Sequence, residues 1–181
     1  YPVVGMRPIV AIDPGRNGAL AADVGGVVHT ARMPWSGEFM DELGVQDWIE
    51  RLGAPELVVI EEQTPNAFRN IPKPARAAFS QGGQFRSLCT IARMLGWPTL
   101  VVAPQRWQKA IPGLSVAKRK DESHNAHTKR VKARRIEVAQ RLYPRADITG
   151  STHHAAKAHD GIADALLILK AARTLTARSS A

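Results

Sequence analysis

Five short apolar runs constrain the fold of this chain more than any other feature: Ile9 to Asp13, Ala19 to Val24, Val27 to Ala31, Leu57 to Ile60 and Thr99 to Ala103. Each has the length of a buried strand and is too short for a helix. The first breaks at Pro14-Gly15, and the second and third are joined by Gly25-Gly26, which reads as a β-hairpin. Helical periods separate the rest. Phe39, Leu43, Trp48, Ile49 and Leu52 predict a helix with a weak point at Gly44 and a stop at Gly53-Ala54-Pro55. Phe85, Leu88, Ile91, Ala92 and Leu95 predict a second, ending at Gly96-Trp97-Pro98, and a short helical turn spans Gln105 to Ala110. Val131, Arg134, Arg135, Val138 and Leu142 predict a helix that ends before Pro144. A last helix is predicted from Ala158 to Leu175, with Ile162, Ala165, Leu166 and Leu169 facing inward.

The order β-β-β-α-β-α-β-α-α predicts an α/β fold, a mixed five-stranded sheet flanked by helices. Residues 63–83, with three prolines and two glycines, read as an irregular loop, and residues 112–128 as a mobile, polar and basic connection. The 181 residues are one domain's length, and at 44% hydrophobic they supply a sizeable core. The single cysteine, Cys89, excludes a disulfide framework or a multi-cysteine zinc site. No apolar run approaches the roughly 18 residues that span a bilayer, and no signal-peptide pattern opens the chain. A soluble, cytosolic protein with no membrane partner is expected.

Charge points to a partner. Residues 1–100 hold 9 Lys and Arg against 10 Asp and Glu, a net of −1, while residues 101–181 hold 16 against 6, a net of +10. A basic half joined to a near-neutral half is the footprint of a polyanion-binding surface, with nucleic acid first among candidates.

Four acids sit where a folded chain rarely puts them. Asp13 ends the first strand, and Glu61 or Glu62 ends the fourth. Asp160 and Asp164 are four apart, so a helix places them on one face, and Asp164 is embedded in Ile162-Ala163-Asp164-Ala165-Leu166-Leu167. An unpaired buried carboxylate is very costly, so the set needs cations. Oxygen-only ligands favour Mg²⁺ or Mn²⁺ over zinc. Two such ions roughly 4 Å apart activate a water and stabilise the leaving oxygen of a phosphodiester. Taken singly the acids have plainer readings: Asp13-Pro14-Gly15 as a turn, Glu61-Glu62 as a strand running into solvent, Asp160 as a helix-dipole partner.

Together, Ala11-Ile12-Asp13-Pro14-Gly15, Ile60-Glu61-Glu62-Gln63 and Asp160-Gly161-Ile162-Ala163-Asp164-Ala165-Leu166 resemble the acidic motifs of RuvC-type Holliday junction resolvases. The resemblance spans roughly residues 7–173. It implies a single ribonuclease H-like nuclease domain over residues 1–181, with a basic insertion near 112–128 and a tail at 175–181. It further implies a homodimeric, Mg²⁺-dependent endonuclease, with Mn²⁺ as a substitute and two ions per site. Such an enzyme nicks two symmetric strands of a four-way DNA junction. Asp13 matches the first catalytic aspartate and Asp164 the last, with Asp160 its helical partner. Glu61 keeps the family's Ile-Glu step and Glu62 its Glu-Gln step; both stay candidate ligands, with Glu61 favoured. The long segment 63–83 and the insertion at 112–128 resemble divergent viral and organellar resolvases more than the bacterial housekeeping branch. The implied location is cytoplasmic or nucleoid-associated, in host cytoplasm for a virus and in an organelle for a eukaryote.

The basic surface fits this picture. Residues 118–135 hold eight Lys or Arg, namely Lys118, Arg119, Lys120, Lys129, Arg130, Lys132, Arg134 and Arg135, suited to neutralising phosphates. Lys109 and Lys129 resemble lysines that the family uses close to the scissile strand, where a cation stabilises charge growing on the phosphorane. The segment after Glu61-Glu62 adds Phe68, Arg69, Lys73 and Arg76 as candidate DNA contacts, and Phe68 is the candidate wedge into the junction centre. His153, His154 and His159 lie near the acidic helix and read as surface residues, while Met33, Trp35, Trp48 and Trp97 read as packing. Three rivals remain open: a related nuclease cutting RNA–DNA hybrids or flaps, a non-catalytic DNA-binding module, and a sugar-kinase-like phosphotransferase. The last is disfavoured, because the chain is short for two such domains and has no Gly-rich nucleotide loop.

Overall fold

The computed structural model describes residues 6–63, 75–150 and 157–179. The chain opens with strands β1 (Ile9–Asp13), β2 (Ala19–Val24) and β3 (Val27–Arg32), paired antiparallel. Gly25 and Gly26 turn the β2–β3 hairpin with φ of 60° and 90°, backbone angles that need glycine in a primed two-residue turn. A small hairpin of β4 (Trp35–Ser36) and β5 (Phe39–Met40) leads into α1 (Glu42–Glu50), whose first turn is capped by Asp41 accepting from the Gly44 N–H at 2.9 Å. Then come β6 (Leu57–Glu61), α2 (Ala75–Met94), β7 (Thr99–Val102), α3 (Pro104–Lys109), α4 (His124–Leu142) and α5 (Asp160–Ser179).

The main sheet has the order β3-β2-β1-β6-β7, with β6 parallel to both β1 and β7. Side chains alternate between its two faces. Val10, Ile12, Leu20, Ala22, Val58 and Ile60 face the core shared with α1 and α2. Ala11, Ala19, Ala21, Val59 and Val102 face the other core, which contains α5. The alanines there matter, because small side chains let a helix lie close on the sheet. Helix α5 is apolar nearly all round, with Ile162, Ala163, Leu166, Leu167, Ile168 and Leu169 at 0–1% exposure. A helix of that kind must be covered on both sides. The sheet covers one side, and Trp107 of α3 with Val138 and Ala139 of α4 cover the other.

The predicted five-stranded mixed sheet and its flanking helices are therefore present, and four boundaries differ from expectation. Phe39 belongs to β5 rather than to a helix, because Asp41 caps α1 two residues later. Helix α2 begins at Ala75, inside the segment read as loop, where Ala75-Arg76-Ala77-Ala78 outweighs Gly82-Gly83. Helix α4 begins at His124, not Val131, because the Ser123 hydroxyl accepts from the Ala126 N–H at 3.2 Å and starts it early. Helix α5 runs past Leu175 to Ser179, so most of the expected tail is helical.

The connection at 112–123 is tied down rather than loose. Arg130 donates to both Glu122 oxygens at 2.6 and 2.7 Å and to the Ala117 carbonyl at 2.8 Å. This charge-assisted clasp holds the Glu122 carboxyl down at about 2.

Candidate active site

The site forms at the carboxyl ends of the two central parallel strands, where α/β sheets commonly place ligands. Ile12 of β1 lies opposite Ile60 of β6, so Asp13 and Glu61, one residue on, are neighbours. Both follow the phase of Ala11 and Val59 and face α5. Glu62 falls in the opposite phase, its backbone N–H donating to the Val102 carbonyl at 2.9 Å. Between the two candidates left open by the motif, Glu61 is the one beside Asp13.

Glu61 is 9% exposed and held at both oxygens. The Trp107 indole N–H donates to Oε1 at 2.8 Å, and the Gln63 amide donates to Oε2 at 3.0 Å. Burial raises the Glu61 carboxyl above its ordinary range, against the opposing pull of Trp107, of a hydrogen bond with Asp13, of Arg135 and of Gln63. Burial also pushes Asp13 well up, reinforced by the negative charges of Asp164 and Glu61 and by the same hydrogen bond, with Arg135 opposing. Neighbouring carboxyls at the ends of adjacent strands repel when both are ionised, which favours a proton on one of them.

Asp164 enters from α5. Burial pushes its carboxyl up to about 6, with Arg135 pulling down and Glu61 and Asp160 pushing up. Arg135 Nη1 donates to Oδ2 at 2.7 Å, while Oδ1 is buried with no hydrogen-bond partner among the described residues. Arg135 also lies over the Trp107 ring, 5.5 Å from its centroid. One turn earlier, Asp160 pairs with Lys132. Burial alone would raise Asp160, but Lys132 and His159 outweigh it and hold the carboxyl below its ordinary range. His159 itself caps α5, its Nδ1 accepting from the Ile162 N–H at 3.3 Å.

Gly161 makes this convergence possible. A Cβ there would sit 2.0 Å from the Asn17 carbonyl oxygen, so only glycine lets the first turn of α5 meet the β1–β2 turn. Gly161→Ala is expected to lower stability by about 1–3 kcal/mol, as overpacking does. It should also weaken divalent-ion binding, because Asp160 and Asp164 must back away from Asp13. Chemical denaturation together with Mn²⁺ titration measures both effects.

The raised carboxyls carry a pH signature. A carboxyl whose folded pKa exceeds its unfolded value adds stability that is fully present below the unfolded pKa and is lost as pH rises through the folded one. For Asp164 that loss extends through about pH 6; Asp13 and Glu61 shift in the same direction. In EDTA, Asp13→Asn should therefore melt above the wild type, and the gap should widen as pH rises above the ordinary carboxylate range toward neutrality. A gap that stays constant over that rise contradicts the raised carboxyls.

The donor set of Asp13, Glu61 and Asp164 is all oxygen, and a buried oxygen of Asp164 lacks a partner, which suits a hard divalent cation. Among the described residues, no group of three or more His, Cys, Asp or Glu is closed around a metal-binding point. The positive charge that the cluster faces is Arg135.

The other candidates are placed as follows. Lys109 is exposed at the end of α3, on a groove of about 360 Å³ that Arg135 also lines. Lys118, Arg119, Lys120 and Lys129 are exposed on and before α4. Arg134 donates to the Gly113 carbonyl and to Glu137, each at 2.8 Å, so it and Arg130 brace the 112–123 connection. Phe68, Arg69, Lys73, His153 and His154 lie outside the described residues, as does the side chain of Arg76. Trp107 and Gln63 were not singled out from sequence. Gln63 stands inside the acidic motif, whereas nothing local marks Trp107 as a partner of Glu61.

No protein-family profile and no curated protein matches the chain. Among solved structures it is similar to Thermus thermophilus RuvC in complex with a Holliday junction substrate, at 15% identity over 96% of each chain, with a TM-score of 0.55. A second Thermus thermophilus RuvC structure is 18% identical over 96% of each chain, with a TM-score of 0.49. At such identity the likeness is one of fold, and the mixed sheet with its flanking helices is ribonuclease H-like. It does not favour a viral or organellar branch. No helix among the described residues is long and apolar enough to cross a membrane.

Proposed function

We propose that this chain is a structure-specific DNA endonuclease that resolves four-way junctions by paired, symmetric nicks, acting as a homodimer on DNA in the cytoplasm or nucleoid. The observation that carries the reading is the meeting of Asp13, Glu61 and Asp164, from three distant stretches of chain, at one end of the parallel strands. The fold shared with RuvC supports the same substrate class.

Asp13, Glu61 and Asp164, with Asp160 beside them, would hold two Mg²⁺ ions, or Mn²⁺ in their place. These ions would supply a water nucleophile at neutral pH and charge neutralisation at the scissile phosphate. Trp107 and Gln63 fix the Glu61 carboxylate so that its oxygens need not reorganise during reaction. Lys109 lines the groove that Arg135 also lines and would meet a phosphate oxygen of the bound strand. The exposed Lys118, Arg119, Lys120 and Lys129 extend a cationic track that makes affinity salt-dependent.

The test is incubation of a synthetic mobile four-way junction, an RNA–DNA hybrid and a flap with the protein, with and without Mg²⁺. Mg²⁺-dependent nicks at symmetric positions in two opposed strands of the junction are expected. Preferential cutting of hybrid or flap replaces the substrate and keeps the chemistry. Absence of Mg²⁺-dependent cutting on all three leaves only a DNA-binding module.

A further inference from the structure

The acids are met by cations from one helix. Lys132 and Arg135 of α4 are three residues apart, and Asp160 and Asp164 of α5 are four apart, so each pair shares a helix face. They form a two-rung ladder, Lys132 to Asp160 and Arg135 to Asp164. The rungs are unequal. The Arg135 and Asp164 side chains are 22% and 19% exposed, whereas Lys132 is 52% exposed. Arg135 also lies on the ring of Trp107, whose N–H holds Glu61. Its guanidinium thus holds Asp164 Oδ2, on a carboxylate assigned above to divalent ions, and lies beside the tryptophan that holds Glu61.

Arginine does not give up its charge, so it competes with any other cation for that volume. A second place is open to it. The groove between α3 and α4 is lined by Gln105, Gln108, Lys109, Val131 and Arg135 itself. A guanidinium there would stand with Lys109 as a pair of phosphate ligands, a role that suits its planar fork.

We propose that Arg135 is a two-position cation: it rests on Asp164 while the acids are free of metal, and moves to the α3–α4 groove beside Lys109 to take a DNA phosphate when they are not. The proposal builds on the nuclease reading. It has a sign that a static role lacks. A resident counter-cation lowers metal affinity in the free protein, and a phosphate that draws it away raises that affinity, with the reciprocal effect on DNA binding. An arginine that merely orients Asp164 does the opposite, since its removal loosens a ligand.

The experiment is titration of the full chain with Mn²⁺, without DNA, reading free Mn²⁺ by electron paramagnetic resonance. Wild type, Arg135→Gln, Arg135→Met, Lys132→Gln and Asp13→Asn are compared, each checked for cooperative unfolding. Arg135→Gln and Arg135→Met should bind Mn²⁺ about tenfold more tightly than wild type. Lys132→Gln, on the exposed rung, should change affinity by only about twofold. Equal or weaker binding by both Arg135 variants overturns the proposal, as does loss of the fold in both. Failure of the nuclease reading looks different: no protein in the set would then show Mn²⁺ binding that Asp13→Asn abolishes.

Discussion

Asp13→Asn is expected to slow junction cleavage by about a thousandfold or more, equivalent to about 4 kcal/mol of barrier, while junction affinity stays within about twofold. The size follows from position. Asp13 ends the central strand, next to Glu61, and feels the charge of both Glu61 and Asp164, so its carboxylate sits among the acids of strand and helix alike. An amide keeps the shape and loses the charge, so nothing in the fold or on the basic surface has to move. The same change should raise the melting temperature in EDTA, because it removes a desolvated carboxylate from a repelling cluster. Loss of activity with gain of stability marks a functional acid; loss of both marks a structural one. Single-turnover cleavage, junction gel shifts and thermal melts on one preparation decide between them.

Trp107→Ala should be the most destabilising single substitution in the site, costing about 3–5 kcal/mol and lowering the melting temperature by on the order of 10 °C. Trp107 is fully buried, packs against the α5 core and donates its indole N–H to Glu61. Trp107→Phe separates these duties. It keeps most of the packing and removes the hydrogen bond, for about 1.5–3 kcal/mol, the range for a bond to a charged group. Its Glu61 should titrate still higher and its cleavage should fall more than its stability. If Trp107→Phe cuts at the parental rate, the indole N–H does not position Glu61.

The strands were readable because short runs of valine and isoleucine end at proline, glycine or an acid, and period two then tells Glu61 from Glu62 once a neighbour's phase is known. Asp164 was readable because a charge inside an all-round apolar helix has few explanations. Other features carry no local signal. The two-residue strands β4 and β5 are too short to alternate, and Phe39 is 77% exposed on a hairpin instead of lying on a helical stripe. The first turns of α4 are polar on every side, so only the Ser123 cap announces them. Trp107 lies 46 residues from Glu61, and Arg135 lies 29 from Asp164. Such pairings come from the way α3 and α4 pack over α5, which no window of sequence contains. A basic stretch also looks the same whether its arginines meet phosphates or, as with Arg130 and Arg134, brace a loop.

The most direct measurement is anomalous diffraction from crystals of the full chain soaked in Mn²⁺. Mn²⁺ peaks are expected at coordination distance from carboxylate oxygens of Asp13, Glu61 and Asp164, with Arg135 withdrawn from Asp164. Ions found only elsewhere on the surface, with the three acids untouched, would contradict that expectation.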